Sequence, residues 1–503
     1  MEIYIGIVKK DPGWTQLLKQ EGLPFKKFSP GDTPTVLIVN DISMMAENLE
    51  YLREGGSIIT DIQTYGKMFN CRTKAKATKF IIPDESTIFD GVGIIDTYCK
   101  RYILYDKDCS TNTSGIYEFT FGKGNGIALP FNISSLLRNT TRMMKFFYTS
   151  NGKMPSEVVS TVTKGEVRKL VINAIRYIFK KKQMYYIHKW YYPQDKNTAF
   201  TYRVDTDKSN IENILKTQKI ADSNSFYLTF FIDIKGLKGE IKGLNELKEH
   251  EIAVHCYEHR VFKDPIKNKE NFLKAKENLL KVGITPYGIA VPYGIWDESL
   301  GFVIEDLGFL YSSEFSLAYD DLPQYPPLEN RLSKVLQLPV HPISPGTLLY
   351  AKNNNGQIKA YFQQKIDEKF QNHEPIFLYG HSEVISRYPE MLNYIIHTVK
   401  EKKNIYYGTY IDFYRWWVRR LKSEINVTLK ENELIFKNSA DVYLHIISPE
   451  DKETFTPMNK KVSLSKLEWK EIQRKKGFDK RELVAKGGRF KLKIKEIENW
   501  LKR

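Results

Sequence analysis

The chain has 503 residues, 42% hydrophobic, 13% aromatic and 27% charged, which excludes a disordered polymer and exceeds the size at which a single hydrophobic core stops growing. Lys and Arg number 76 against 60 Asp and Glu, a formal charge of +16 that favours anionic partners or surfaces, yet the basic residues are scattered and no nucleic-acid-binding motif occurs, so nucleic acid is not an expected partner. The four cysteines, Cys71, Cys99, Cys109 and Cys256, lack CxxC spacing, which excludes a disulfide framework and a cysteine zinc site; without a signal peptide or a bilayer-spanning apolar window, a cytoplasmic location is expected.

Residues 1–150 alternate short apolar runs with amphipathic ones, predicting an open, flavodoxin-like α/β domain. Strands are expected at 1–8, 35–39 and 57–62, and helices at 14–21 and 46–53, the second stopped by Gly55-Gly56. The stretches TVLIVND, LEYLREGGSIITD and GKGNGIALPF resemble the class I glutamine amidotransferase-like fold, in which a Gly-Gly precedes a strand. No Gly-x-Cys-x-Gly and no histidine before His188 occur, so docking or scaffolding is expected here and not amidotransferase chemistry.

Residues 151–197 read as a helical connector, with Val162, Val167, Leu170, Val171, Ala174 and Ile178 at helical spacing over 158–182. From 198 to 422, strands are predicted at 200–204, 226–232, 251–255, 288–291, 335–340, 376–379 and 405–409. Helices fall between them at 211–220, 270–281, 299–307, 361–370, 389–401 and 412–421. This repeat predicts a distorted (β/α) barrel with reactive groups at strand C-terminal ends. Residues 423–503 alternate like strands at 425–429, 433–436, 442–447 and 490–494, predicting a small β-sandwich accessory domain. The aromatic clusters Tyr185-Tyr186 and Trp190-Tyr191-Tyr192 are candidates for sugar stacking, while Trp416-Trp417 is expected to pack.

In Tyr202-Arg203-Val204-Asp205-Thr206-Asp207 an apolar run ends in two carboxylates one residue apart. Side chains two apart in extended chain share a face, and two carboxylates that close call for a cation. In His255-Cys256-Tyr257-Glu258-His259 two imidazoles four apart lie one above the other if the segment makes a helical turn, a spacing suited to one metal ion. Pro292-Tyr293-Gly294 follows another predicted strand, and His381 ends Pro375-Ile376-Phe377-Leu378-Tyr379-Gly380.

This ordered series, DxD, HxxxH, PYG and a strand-terminal histidine, resembles the polysaccharide deacetylase family of carbohydrate esterases with NodB homology, over residues 198–421. The resemblance implies Zn2+ or another divalent ion held by Asp207, His255 and His259. It further implies Asp205 as the base for an attacking water, the Tyr293 backbone N–H as an oxyanion donor, and His381 as the acid for the leaving amine. The activity implied is metal-dependent removal of N-acetyl groups from an amino-sugar polysaccharide or glycan precursor; an anionic carbohydrate would suit the net charge. Pro292, His341, Arg203 and Glu314 are further expected to line the substrate site. Where the family's third motif opens with an arginine that orients the base, this chain has Ala290, and Arg203 or Arg331 is expected to supply the charge. Glu314 or Asp320 is the expected partner of His381, and Cys256 a buried structural thiol. Two alternatives stand beside this reading: hydrolysis of a different C–N bond, and a catalytically impaired glycan-binding or scaffold protein.

Overall fold

A computed structural model describes residues 1–105, 115–473, 477 and 479–486; Cys109 and the strand expected at 490–494 lie outside them. The chain divides into two compact units, one built from Thr140–Thr161, Asn197–Arg415 and residues after 477, the other from Met1–Asn139, Val162–Lys196 and Trp416–Gly477.

The first unit holds the (β/α) repeat. Its strands are β1 (Thr198–Asp205), β2 (Thr229–Asp233), β3 (Glu251–Cys256), β4 (Gly288–Ile289), β5 (Tyr311–Ser312), β6 (Leu336–Gln337), β7 (Ile376–His381) and β8 (Ile405–Tyr407). They form one parallel sheet in the order β6-β5-β4-β3-β2-β1-β7, with β8 pairing the first residues of β1. Every residue of β1 and β2 is buried, as a parallel sheet covered on both faces requires. Helices α1 (Ile211–Ser223), α2 (Pro265–Lys281), α3 (Glu298–Asp306), α4 (Pro345–Tyr350), α5 (Asn355–Gln371), α6 (Ser382–Arg387), α7 (Pro389–Lys400) and α8 (Tyr410–Lys422) intervene or follow. Strand β5 lies where no strand is expected from sequence.

The sheet curls without closing into a barrel. Its ends, β6 and β7, are bridged by His341 N–H to Phe377 C=O at 2.8 Å and by an apolar cluster of Val159, Phe315, Val340 and Tyr379. Val159 belongs to an antiparallel hairpin, Arg142–Phe146 with Ser156–Ser160. That pairing shortens the connector helix to Lys164–Lys181, since residues 156–160 satisfy their backbone groups across the hairpin.

The second unit contains a six-stranded sheet ordered Phe25–Lys27, Ile5–Ile7, Val36–Val39, Ser57–Asp61, Gly124–Leu129 and Tyr117–Phe121, parallel except for the last strand. The strands of 427–471 form two four-stranded antiparallel sheets, each recruiting a strand from elsewhere. Glu2–Ile3 pairs with Val427 and Thr428, and Tyr186–Lys189 with Leu444–Ile447. Trp190, Tyr192, Trp416 and Trp417 are buried in this unit, where they pack instead of offering sugar-stacking faces. Among the described residues no helix is long and apolar enough to cross a membrane.

At the end of the curled sheet away from the motif residues, the first residue of β3, Glu251, joins three elements. Its carboxylate accepts from Tyr311 Oη (2.6 Å), Thr229 Oγ1 (2.9 Å) and the Ile411 backbone N–H (2.9 Å) at the start of α8. Burial outweighs these donors and pushes the carboxyl up to about 7. An unfolded Glu titrates near ~4.3, so the folded protein binds the extra proton between the two values. The stabilisation is therefore complete below ~4.3 and declines as the pH rises through about 7. Urea titrations across this range should show a flatter profile for Glu251→Gln than for the wild type. Glu251→Ala, which strands three buried donors, should cost about 3 kcal/mol; an unaltered slope together with unaltered stability would contradict the assigned role.

Candidate metal centre and active site

The strand C-termini bring the motif residues together. Register pairs Asp205 with Phe231 on one side and with His381 on the other, so the last residues of β1 and β7 stand side by side. Two residues beyond β1, Asp207 turns toward the end of β3: its Oδ1 lies 3.1 Å from His255 Nε2 and its Oδ2 3.2 Å from His259 Nε2. His381 Nε2 lies 3.5 Å from the same Oδ2. Burial opposes ionisation of Asp207, yet His255, His259 and His381 hold it well below the usual carboxylate range. Burial likewise disfavours the His255 imidazolium, and Asp207 outweighs it, raising the imidazole.

The HxxxH pair converges for a different reason than helical spacing. His255 lies in β3 and His259 in the bend that follows, with ring centroids 5.0 Å apart. That bend is clamped by Asn271 of α2, whose Oδ1 accepts from the Glu258 N–H (2.8 Å) and whose Nδ2 donates to Glu258 C=O (2.9 Å) and Arg260 C=O (3.1 Å). Asp233, at the end of β2, similarly accepts from the Lys208 N–H at 3.0 Å and steadies the turn that carries Asp207. Neither residue was singled out from sequence. The available signal was a buried asparagine on the apolar face of α2 and an aspartate ending the run Thr229–Asp233.

Ala290 has a task of its own. Its carbonyl lies 2.6 Å from His255 Nδ1, and because a carbonyl only accepts, that nitrogen carries a proton and Nε2 is the ring nitrogen left to face Asp207. The guanidinium expected at this place comes from Arg203, whose Nε and Nη2 each donate to one oxygen of Asp205 at 2.6 Å. Arg331 is engaged elsewhere, with both terminal nitrogens on Glu305 at 3.0 and 2.8 Å.

Three other expectations need correction. Glu314 does not meet His381; fully buried, it accepts from the Val291 N–H at 3.2 Å, and burial pushes its carboxyl up to about 7. It is walled off from solvent. His341 is 6% exposed and bonded through Nε2 to Tyr361 Oη at 2.9 Å, so it is a core residue and no substrate contact. Pro292 is also buried, and it acts by opening the turn in which Tyr293 takes a left-handed φ of 63°. Tyr293 itself is half-exposed, with its ring 4.8 Å from that of His259. Cys256 is buried, and desolvation raises its thiol pKa, in keeping with a structural role.

The donor set fits a divalent cation. Asp207, His255 and His259 offer ligand atoms within 4.8 Å of one another, and so do Asp205, Asp207 and His381. Asp207 Oδ1, His255 Nε2 and His259 Nε2 are buried without an aligned hydrogen-bond partner, although they lie at ion-pair distances. Converging in this way, these atoms could hold one ion in common. Two imidazoles and one carboxylate match a borderline ion such as Zn2+ and leave coordination positions open.

No protein-family model matches the sequence, and no curated protein matches it. Solved structures resemble parts of the chain. A Pseudomonas aeruginosa PAO1 protein described as a polysaccharide deacetylase is 18% identical, over 45% of this chain and 92% of that one, with a TM-score of 0.39. Puue allantoinase is 16% identical over 45% and 92% (TM-score 0.40). A Bacillus anthracis protein described as a CE4 family pseudoenzyme is 12% identical over 44% and 66% (TM-score 0.32). Each of these likenesses spans less than half of the present chain.

Proposed function

We propose that the protein is a metal-dependent hydrolase that removes N-acetyl groups from an amino-sugar substrate, yielding acetate and a free amine. The observation that carries this reading is the unequal treatment of two neighbouring carboxylates. Asp207 faces two imidazoles, while Asp205 is committed to Arg203. Asp207, His255 and His259 would hold the cation, which supplies acidification of water and polarisation of the amide carbonyl.

The remaining steps belong to the chain. Asp205 takes a proton from the attacking water as its oxygen bonds to the carbonyl carbon. The Tyr293 backbone N–H, presented by its left-handed turn, donates to the carbonyl oxygen as negative charge develops there. His381, across from Asp205 in register, gives a proton to the departing nitrogen as the C–N bond breaks. The half-exposed Tyr293 ring offers an apolar face at the rim suited to a sugar.

The test is acetate release from N-acetylhexosamine oligomers by metal-loaded protein, abolished by a chelator and restored by Zn2+. Asp205→Asn should lower turnover by about 10²–10⁴-fold while bound metal, read by elemental analysis, stays at the wild-type level. Asp207→Asn and His259→Ala should lose metal and turnover together. Wild-type acetate release by Asp205→Asn, or release insensitive to chelator, would contradict the proposal.

A further inference from the structure

In the second unit, two buried histidines face each other across a strand pair. His188 and His445 are opposite in register between Tyr186–Lys189 and Tyr443–Ile447, 2% and 7% exposed, with His188 Nε2 2.9 Å from His445 Nδ1. Their outer nitrogens are engaged as well. His188 Nδ1 lies 2.9 Å from Glu21 C=O, and His445 Nε2 lies 2.9 Å from Glu453 Oε2.

The groups at the two ends fix a proton count. A carbonyl and a carboxylate only accept, so both outer nitrogens carry hydrogen, and the contact between the rings needs a third. Two neutral imidazoles carry two. Burial pushes His188 down to about 4, which puts the third proton on His445, between the His188 lone pair and the Glu453 carboxylate. Aromatic faces meet that cation: the Phe455 ring stacks on His445 at 4.6 Å and 9°, and the Trp190 ring lies 5.2 Å away.

The other charged groups around the pair have partners of their own. The Glu21 carboxylate accepts from Tyr186 Oη (2.7 Å), Tyr191 Oη (2.8 Å) and Arg168 Nη1 (3.2 Å), and stands 3.5 Å from His188 Nδ1. Arg420 Nη2 donates to Glu21 C=O (2.9 Å) and Lys189 C=O (2.7 Å), and Lys189, pushed down to about 7 by burial, donates to Arg420 C=O at 2.7 Å. Arg176 adds a positive charge that opposes a proton on His188. Glu453, its side chain 22% exposed, balances His445 and opens it to water.

We propose that the His188–His445 pair is a proton lock: one proton beyond those of two neutral imidazoles joins Tyr186–Lys189 to Tyr443–Ile447, and the join weakens as the pH rises and that proton leaves for water. The lock uses none of the groups of the proposed metal site and stands or falls apart from the hydrolase reading. Acceptors at both ends favour the protonated pair and hold its folded pKa above the ~6.5 of an unfolded imidazole. The stabilisation is therefore complete below ~6.5 and is lost as the pH rises through the folded value.

The test is Glu453→Gln in the full-length protein. The introduced amide can donate to His445 Nε2, so the same three hydrogen bonds are met by neutral rings and the extra proton is no longer needed. With histidine isotopically labelled at Cε1, the wild-type resonance that disappears in His445→Gln should hold the imidazolium position at about pH 7.5 and the neutral position in Glu453→Gln. If His445→Gln does not fold, the resonance is identified as the one that Glu453→Gln moves, and no such movement would count against the lock. The thermal midpoint of the wild type minus that of Glu453→Gln should fall by about 2–4 °C between about pH 6 and about pH 9, a difference in which the titrations of Lys189 and Glu251 cancel. A neutral His445 in the wild type at about pH 7.5, or a midpoint difference independent of pH, would overturn the inference.

Discussion

Two carboxylates brought within a few ångströms of one another repel, and the site at the strand ends exists only because each is compensated by a different partner. Asp205 is neutralised within the protein by the bidentate Arg203 fork, whereas Asp207 is left facing imidazoles whose nearest nitrogens have no aligned hydrogen-bond partner. A guanidinium is a permanent charge, while two imidazoles turned toward a carboxylate form with it a set that could hold a cation. On the proposed reading, this asymmetry is what separates the roles of the two aspartates.

The surrounding shell fixes the donors in place. The Ala290 carbonyl sets the His255 tautomer, Asn271 clamps the bend that presents His259, and Asp233 steadies the turn bearing Asp207. All three are buried, Ala290 and Asp233 at strand ends and Asn271 in α2, so the bend and the turn that carry His259 and Asp207 are held by regular elements. The Val159 cluster across β6 and β7 does for the curled sheet what closing hydrogen bonds would do in a complete barrel.

Much of this was legible in sequence because strand-end chemistry leaves local marks. An apolar run that stops at Asp205 and another that stops at His381 mark the C-terminal rim, and the register puts these two residues side by side. What stayed hidden was non-local. Nothing within residues 1–8 signals that Glu2–Ile3 pairs with Val427 and Thr428, and nothing near 186 signals a partner at 444–447. The two histidines of HxxxH do come together, but across a bend after a strand and not on a helical turn. Likewise Arg203 and Arg331 were equivalent on paper, and only the fold separates a buried fork on Asp205 from a pair with Glu305.

The central claim, one ion shared by Asp207, His255 and His259 with Asp205 held apart, is tested most directly by a crystal structure of the zinc-soaked protein with anomalous data at the zinc edge. The account predicts a single strong anomalous peak about 2.0–2.2 Å from an Asp207 oxygen and from both Nε2 atoms, with Asp205 still on Arg203. A peak ligated by Asp205, or no peak at this site while zinc binds elsewhere, would contradict it.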